Sequence, residues 1–550
     1  MITNPILPGF HADPSICRVG NDYYIATSTF EWWPGVRIHH SRDLKHWRHH
    51  SYAVTRRSQL DLTGHPDSAG VWAPCLSYSG GQFWLIYTDV RSTIGAFKDT
   101  HNYLITAPGI DGPWSDPIYL NSSGFDPSLF HDEDGRHWLV NQQWTHWPGK
   151  NHFNGILLQE YDHEAKQPVG PVKNIYRGTE LGVVEGPHLY RRNGWYYLLT
   201  AEGGTFYEHA VTLARSRLID GPYETLPGNP LLTAWQKKTD GLQRSGHASL
   251  VETASGEWFM AHLAGRPLEW SGPNAANNKP EDGYAGLHCP LGRETALQRI
   301  RWRDDDWPEV VGADGQASQQ PGAHVALPDL PPHPFPAEAA RDDFDSTTFN
   351  GHLNSLRKPF DESWASLSAR PGHLRLTGRE SLMSLFDQSL VARRQQHFNC
   401  RVETRVAFEP DSFHQTAGLV AYYNTRNHAY LHVTRDFDSE QRVVYLTVNR
   451  DGQISGPAAP VALAAGPVDL AVEFSHDTYQ FQFRQGSDAW QAIGPALDAA
   501  MLSDEFATRF LNGFANSFGF TGNFIGIACQ DLAGTRKTAD FDHFSYEAKA

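Results

Sequence analysis

One hydrophobic pattern recurs five times in the first part of the chain. A glycine or asparagine turn leads into two bulky, mostly ring-bearing residues, and an aliphatic residue follows. The copies are Asn21-Asp22-Tyr23-Tyr24-Ile25, Gly81-Gln82-Phe83-Trp84-Leu85, Gly135-Arg136-His137-Trp138-Leu139, Gly194-Trp195-Tyr196-Tyr197-Leu198 and Gly256-Glu257-Trp258-Phe259-Met260. Aromatic-rich runs behind a turn signal read as strands, and no long 3.6-residue apolar period lies between them. The aligned second rings stand 60, 54, 59 and 62 residues apart. A unit of about 58 residues holds a four-stranded antiparallel blade with its loops, so five units predict a five-bladed β-propeller.

The later part alternates with period two, as in Arg401-Val402-Glu403-Thr404-Arg405-Val406, Tyr430-Leu431-His432-Val433 and Tyr479-Gln480-Phe481-Gln482-Phe483. Such runs are half-buried antiparallel strands. Separated by turns such as Asp451-Gly452, they predict a β-sandwich, jelly-roll or lectin-like. Between the two parts lie six prolines from Pro321 to Pro336. Proline fixes φ and removes a ladder donor, so this stretch is an extended linker or strap. The chain is expected to be all-β, with a propeller over 1–320, a Pro-rich linker over 321–340 and a sandwich over 341–550.

A second element precedes each aromatic strand. Its versions are Asp13-Pro14-Ser15-Ile16, Trp72-Ala73-Pro74-Cys75-Leu76, Asp126-Pro127-Ser128-Leu129, Glu185-Gly186-Pro187-His188-Leu189 and His247-Ala248-Ser249-Leu250. Equivalent positions of a radial repeat lie on one ring about the axis. If this element begins the innermost strand, Asp13, Trp72, Asp126, Glu185 and His247 converge at the mouth of the channel.

Charge and composition narrow the chemistry. With 46 Lys+Arg against 62 Asp+Glu, the formal net charge is −16, which argues against a nucleic-acid groove or an anionic membrane surface. No apolar run is long enough to span a bilayer. Met1-Ile2-Thr3-Asn4-Pro5 does not read as a secretory signal. The five cysteines (17, 75, 289, 400, 529) are odd in number and scattered. Reduced, buried thiols in a cytoplasmic protein are therefore expected.

Two carboxylates flanking a bond are the minimum for glycoside hydrolysis, and Asp13 and Glu185 are the candidates. An Asp before Pro alone is a routine turn starter, but turn chemistry does not explain a glutamate and a tryptophan beside the aspartates. An ionised Asp126 near Glu185 would hold the proton that a general acid needs. His247 can plug the channel, touch substrate or bind metal; with no second His or Cys near it in sequence, the metal signal is weak. Phe30, Trp72 and Trp144 are candidate platforms for the C–H faces of a sugar.

Asn4-Pro5-Ile6-Leu7-Pro8-Gly9-Phe10-His11-Ala12-Asp13-Pro14-Ser15-Ile16 closely resembles the opening of the β-xylosidases of glycoside hydrolase family 43. So do Thr27-Ser28-Thr29-Phe30-Glu31-Trp32, Val71-Trp72-Ala73-Pro74, Gly124-Phe125-Asp126, Glu185-Gly186-Pro187-His188-Leu189-Tyr190 and Leu291-Gly292-Arg293-Glu294-Thr295-Ala296. Phe520-Thr521-Gly522 and Ala539-Asp540-Phe541-Asp542 extend the resemblance into the C-terminal part. It implies Asp13 as general base, Glu185 as general acid and Asp126 as the residue that tunes and orients the acid. Arg293 would hold hydroxyls of the deepest sugar. Phe30, Trp72, Ala73, Trp144 and His247 would line the pocket, and Phe520 would close it from the second domain. Trp32-Trp33 departs from the family pattern and suggests an altered leaving-group subsite.

The implied activity is inverting, exo-acting release of xylose from the non-reducing end of xylo-oligosaccharides. α-L-Arabinofuranosidase activity on arabinosides is the nearest alternative. A retaining fructosidase and a non-catalytic carbohydrate-binding propeller are more distant readings. No cofactor is required; some relatives bind calcium in the propeller channel, beside His247, and relatives are often homo-oligomers, dimers or tetramers.

Overall fold

Five antiparallel sheets of the same build follow one another along the chain. Blade 1 comprises Ser15–Val19, Asp22–Thr27, Gly35–Ser41 and Arg48–Val54; blade 2 comprises Gly70–Ser79, Gln82–Ser92, Asp99–Ala107 and Ile118–Asn121. Blade 3 comprises Ser128–His131, His137–Trp144, Phe153–Asp162 and Gln167–Tyr176. Blade 4 comprises Glu185–Arg192, Trp195–Glu202, Ala210–Ser216 and Glu224–Thr225, with Leu232–Thr233 also paired to its third strand. Blade 5 comprises Gln243–Glu252, Trp258–Gly265, Glu294–Trp302 and Pro308–Val311. The computed structural model describes residues 1–235, 241–269, 286–511 and 514–549.

The repeated aromatic runs are the second strand of each blade. Their alternating side chains fill the seams between blades, where apolar clusters sit: Tyr24 faces Phe83 across the first seam, and Tyr197 packs with Met260 and Trp307 across the fourth. The first strands are innermost and touch one another around the axis. Serine hydroxyls stitch them: Ser15 Oγ accepts from Leu76 N at 3.0 Å, Ser249 Oγ accepts from Ile16 N at 2.9 Å, and Ser128 Oγ donates to Pro187 O at 2.6 Å. The ring closes through the N-terminal segment. Leu7 bridges Thr295, Asn4 bonds both polar groups of the Leu297 backbone, and Ile2–Thr3 pairs with His324–Val325 of the proline-rich stretch. That stretch then crosses the propeller as a strap, with Asp329 N bonded to Glu257 and His333 N to Asp43.

The second domain packs two nine-stranded sheets face to face around a core that includes Val402, Leu419, Leu431, Leu470, Phe481 and Phe541. One of these sheets receives a strand from the propeller. Trp32–Trp33, in the loop after the second strand of blade 1, pairs with Asn354–Leu356 at the sheet's edge. Trp32 stacks on Phe524 with ring centroids 3.6 Å apart, and both tryptophans are fully buried. The expectation of an altered leaving-group subsite at Trp32-Trp33 is thus overturned: the pair joins the two domains. His39-His40 and His49-His50, whose polarity suggests solvated surface, are at least half-buried. His39 and His40 are buried, and the His39 ring lies edge-on to His11 at 4.5 Å.

Candidate active site

The five inner strands begin with the same backbone event. Asp13, Ala73, Asp126, Gly186 and His247 all have left-handed φ, at 54°, 38°, 52°, 57° and 42°. The residue two places later pairs in every blade with the residue two places past the repeat aromatic: Ser15 with Ala26, Cys75 with Ile86, Ser128 with Val140, His188 with Leu199, Ser249 with Ala261. This register corrects the sequence alignment. The equivalents of Asp13 in blades 2 and 4 are Ala73 and Gly186, and Trp72 and Glu185 stand one residue earlier. Left-handed φ is uncommon outside glycine, with Asp and His among the better-tolerated residues. Gly186 is needed for a second reason. A Cβ there would lie 3.1 Å from the ring of His247.

The side chains converge on a pocket of about 500 Å³ at one end of the channel, within the range of roughly 300–1,000 Å³ usual for small-molecule sites. Asp13, Asp126, Glu185, His247, Arg293, Phe30, Trp72, Trp144 and Phe520 all line it. Ala73 does not. Its N–H donates to Ser28 Oγ at 2.8 Å, and that hydroxyl donates to Asp13 Oδ2 at 2.6 Å, so Ala73 acts one step behind the wall. His247 Nδ1 sits between two carboxylates, 3.9 Å from Asp13 Oδ1 and 4.0 Å from Asp126 Oδ2.

Environment separates the three carboxyls. Burial raises the pKa of Asp13, but Arg293, His247 and the Ser28 hydroxyl outweigh it and leave Asp13 below the ordinary carboxylate range. Arg293 Nη1 lies 3.1 Å from Asp13 Oδ1, and the pair is buried rather than a surface contact. Glu185 is pushed well above its ordinary value, by burial first and then by Asp126 and Asp13. Asp126 is raised to about 6, chiefly by burial, with Asp13 adding and His247 opposing. The environment therefore favours the ionised form of Asp13 and the protonated form of Glu185.

The second domain completes the wall. Phe520 and Phe518 line the pocket, and the Arg293 guanidinium stacks 4.6 Å from the Phe520 ring centroid. The turn that carries Phe520 is tied to blade 5. Asp504 Oδ1 accepts from Gly522 N at 3.2 Å, while Asp504 Oδ2 pairs with the fully buried Arg244 at 3.0 Å. Tyr423 also bonds Asp504, at 2.7 Å.

Sequence reasoning missed Lys98, Phe125 and Ser28, and weighed Phe518 only as a neighbour of Phe520. Lys98 lines the pocket with its ammonium 4.7 Å from the Trp144 ring centroid. Burial pulls its pKa down to about 8, partly offset by Glu185. Its loop lies outside the repeat and offers no signal. Ser28 lies inside the stretch that carries the resemblance.

Calcium takes roughly six to eight oxygen ligands, carboxylates prominent among them. Behind His247 the inner strands present serine hydroxyls already engaged with neighbouring backbone, together with Cys75 Sγ 3.9 Å from His188 Nδ1. Among the described residues no three metal-ligating side chains are placed to hold an ion together. All five cysteines are buried and unpaired. No helix among the described residues is long and apolar enough to cross a membrane.

Comparison with known proteins agrees with this geometry. The chain is 47% identical to a β-xylosidase of Bacillus subtilis over the full length of both. It is 47% identical to the xylosidase/arabinosidase 43B of Humicola insolens, over 99% of this chain and 97% of that protein. The crystal structure of a xylan β-1,4-xylosidase from Bacillus halodurans superposes with a TM-score of 0.93 at 54% identity, covering both chains completely. Residues 341–547 match the β-xylosidase C-terminal concanavalin A-like domain. Residues 2–308 match the glycosyl hydrolases family 43 model, and the chain belongs to that family.

Proposed function

We propose that the protein is an inverting, exo-acting β-xylosidase that releases xylose from the non-reducing end of 1,4-linked xylo-oligosaccharides. The observation that carries this reading is the opposed tuning of two carboxyls in one pocket: Asp13 held ionised by Arg293, Glu185 held protonated by burial and two neighbouring acids. Asp13 takes a proton from water, which attacks the anomeric carbon. Glu185 gives its proton to the departing glycosidic oxygen. Asp126 keeps Glu185 protonated and His247 sits between Asp13 and Asp126. Arg293 Nη2 is buried without a protein partner and suits a sugar hydroxyl. The aromatic wall of Phe30, Trp72 and Phe520 suits the C–H face of the ring. The names of the B. subtilis and B. halodurans relatives support the substrate. Unpaired thiols suit a reducing compartment, consistent with imported oligosaccharides as substrates.

Proton NMR of the first-formed product tests the reading. Initial appearance of α-xylose supports it; initial β-xylose would place a covalent intermediate in the reaction and remove Asp13 from the role of base. The name of the H. insolens relative favours a second activity on α-L-arabinofuranosides in the same pocket. Paired aryl xyloside and arabinoside assays on one preparation measure the ratio.

A further inference from the structure

Away from the catalytic pocket, the seam between blade 1 and the sandwich gathers three arginines and four histidines. Arg37 and His39 come from the third strand of blade 1, His49 from the fourth, and His11 from the segment leading to Asp13. Arg393 and Arg394 come from the sandwich strand Leu390–Arg394, and His352 precedes the sandwich strand that pairs with Trp32–Trp33. Arg37, His11, His39 and Arg394 are each 3% exposed or less. Among the described residues, the one carboxylate ion-paired to any member is Glu338, 2.9 Å from His352. Tyr52 accepts from Arg37 Nη1 at 2.7 Å.

His11, Arg37, His352, Arg393, Arg394 and Gln396 surround a small cavity of about 10 Å³, the volume that admits one water-sized body. Four of these lining residues each keep one buried nitrogen without a protein partner: His11 Nδ1, Arg37 Nε, Arg393 Nε and Arg394 Nη2. Guanidinium nitrogens only donate and do not lose their charge. A buried charge that is only partly compensated costs free energy, and a water in the cavity would fill the space without offsetting the charge that Glu338 leaves over.

We propose that this cavity is a binding site for a chloride-sized inorganic anion, which clamps blade 1 to the sandwich. The lining is rich in obligate donors, its three guanidiniums are balanced by a single nearby carboxylate, Glu338, whose ion pair is with His352, and the volume excludes sulfate or phosphate without rearrangement. Burial drives the Arg394 pKa down to about 9 and, with the neighbouring arginines adding, holds His11 and His39 well below the ordinary imidazole range. The site borders the catalytic machinery through the backbone. His11 N donates to Arg293 O at 2.9 Å, two residues before Asp13. The inference is independent of the substrate proposed above.

Two measurements on the unaltered full-length protein decide it. Crystals transferred to sodium bromide are examined for anomalous scattering. Thermal unfolding is followed in sodium chloride against sodium gluconate at equal ionic strength. The expected results are a bromide peak among Arg37, Arg393 and Arg394, and a saturable rise of about 2–5 °C in chloride. Arg393→Gln, which alters the least buried of the three guanidiniums, should abolish the saturable part. No peak, or water alone in the cavity, overturns the proposal. A peak with no saturable shift means an adventitious ion only and also overturns it. An equal, saturable rise in sulfate would assign the site to an oxyanion and defeat the halide proposal.

Discussion

The backbone N–H of Gly186 donates to Asp126 Oδ2 at 3.1 Å. Gly186 follows Glu185, so the carboxylate that adds to the effect of burial in raising the Glu185 pKa also grips the peptide that carries it. Asp126→Asn retains an acceptor for that N–H and removes the charge. Glu185 then ionises more easily, and the basic limb of the kcat/KM profile moves to lower pH. The activity at the optimum should fall by about 10²-fold. A fall with an unmoved basic limb would restrict Asp126 to holding the peptide.

The same raised pKa values have a cost in stability. A carboxyl whose folded-state pKa lies above its unfolded value favours folding most at low pH and loses that advantage as pH rises. For Asp126 the window runs from about 4 to about 6. Above it the native state carries a buried charge that the unfolded state does not. Asp126→Asn should therefore be more stable than the parent at pH 7.5, by about 1–3 kcal/mol, and the gap should close at pH 4. Urea titrations at the two pH values read it.

Glu185→Ala separates the proton donor from the rest of the site. On xylobiose, whose leaving oxygen needs a proton, kcat should fall by about 10³–10⁴-fold. On an aryl xyloside with an acidic phenol the loss should be far smaller, about tenfold. Equal losses on both substrates would take Glu185 out of the acid role.

Ser28→Ala removes the hydroxyl that donates to Asp13 Oδ2 and accepts from Ala73 N. The hydrogen bond favours the ionised form of Asp13, so its loss moves the acid limb of kcat/KM to higher pH. The buried Ala73 N–H is left without its partner, at about 1–3 kcal/mol of stability. Activity and chemical denaturation measured on the same variant show both effects.

Arg244→Met tests the tie between the domains. It leaves Asp504 and Glu505 buried without their cation, and such a break costs about 3–5 kcal/mol. Asp504 also bonds Gly522 in the turn that carries Phe520. KM should rise several-fold while kcat changes less, because the variant disturbs a wall of the pocket rather than its acids. An unchanged KM would show that Phe520 holds its place without Asp504.

The architecture was legible because period and turn chemistry repeat. The five aromatic runs name five second strands, and alternation names the sandwich. The register of the ring was not read correctly, although its signal was present. The small residue or proline after Asp13, Ala73, Asp126, Gly186 and His247 marks the left-handed position, whereas the eye is drawn to the chemically interesting Trp72 and Glu185. The fates of Trp32-Trp33 and the histidine pairs were illegible for a different reason. Local sequence reports that a residue is polar or aromatic, and only the approach of a second domain decides that His39 is buried or that Trp32 meets Phe524. Lys98 belongs to the same class: a lone lysine in a loop gains its character from Glu185 and Trp144, which are remote in sequence.

The two-residue strand at Trp32–Trp33 means that neither half of this enzyme ends where its own fold ends. Cutting the chain in the proline-rich strap would leave the sandwich with an open row of amides along Asn354–Leu356 and the propeller with two large indoles facing water. Both are invitations to stick to other molecules. The halves are therefore poor cassettes for grafting, and any transplanted version has to carry the blade 1 loop together with its receiving edge.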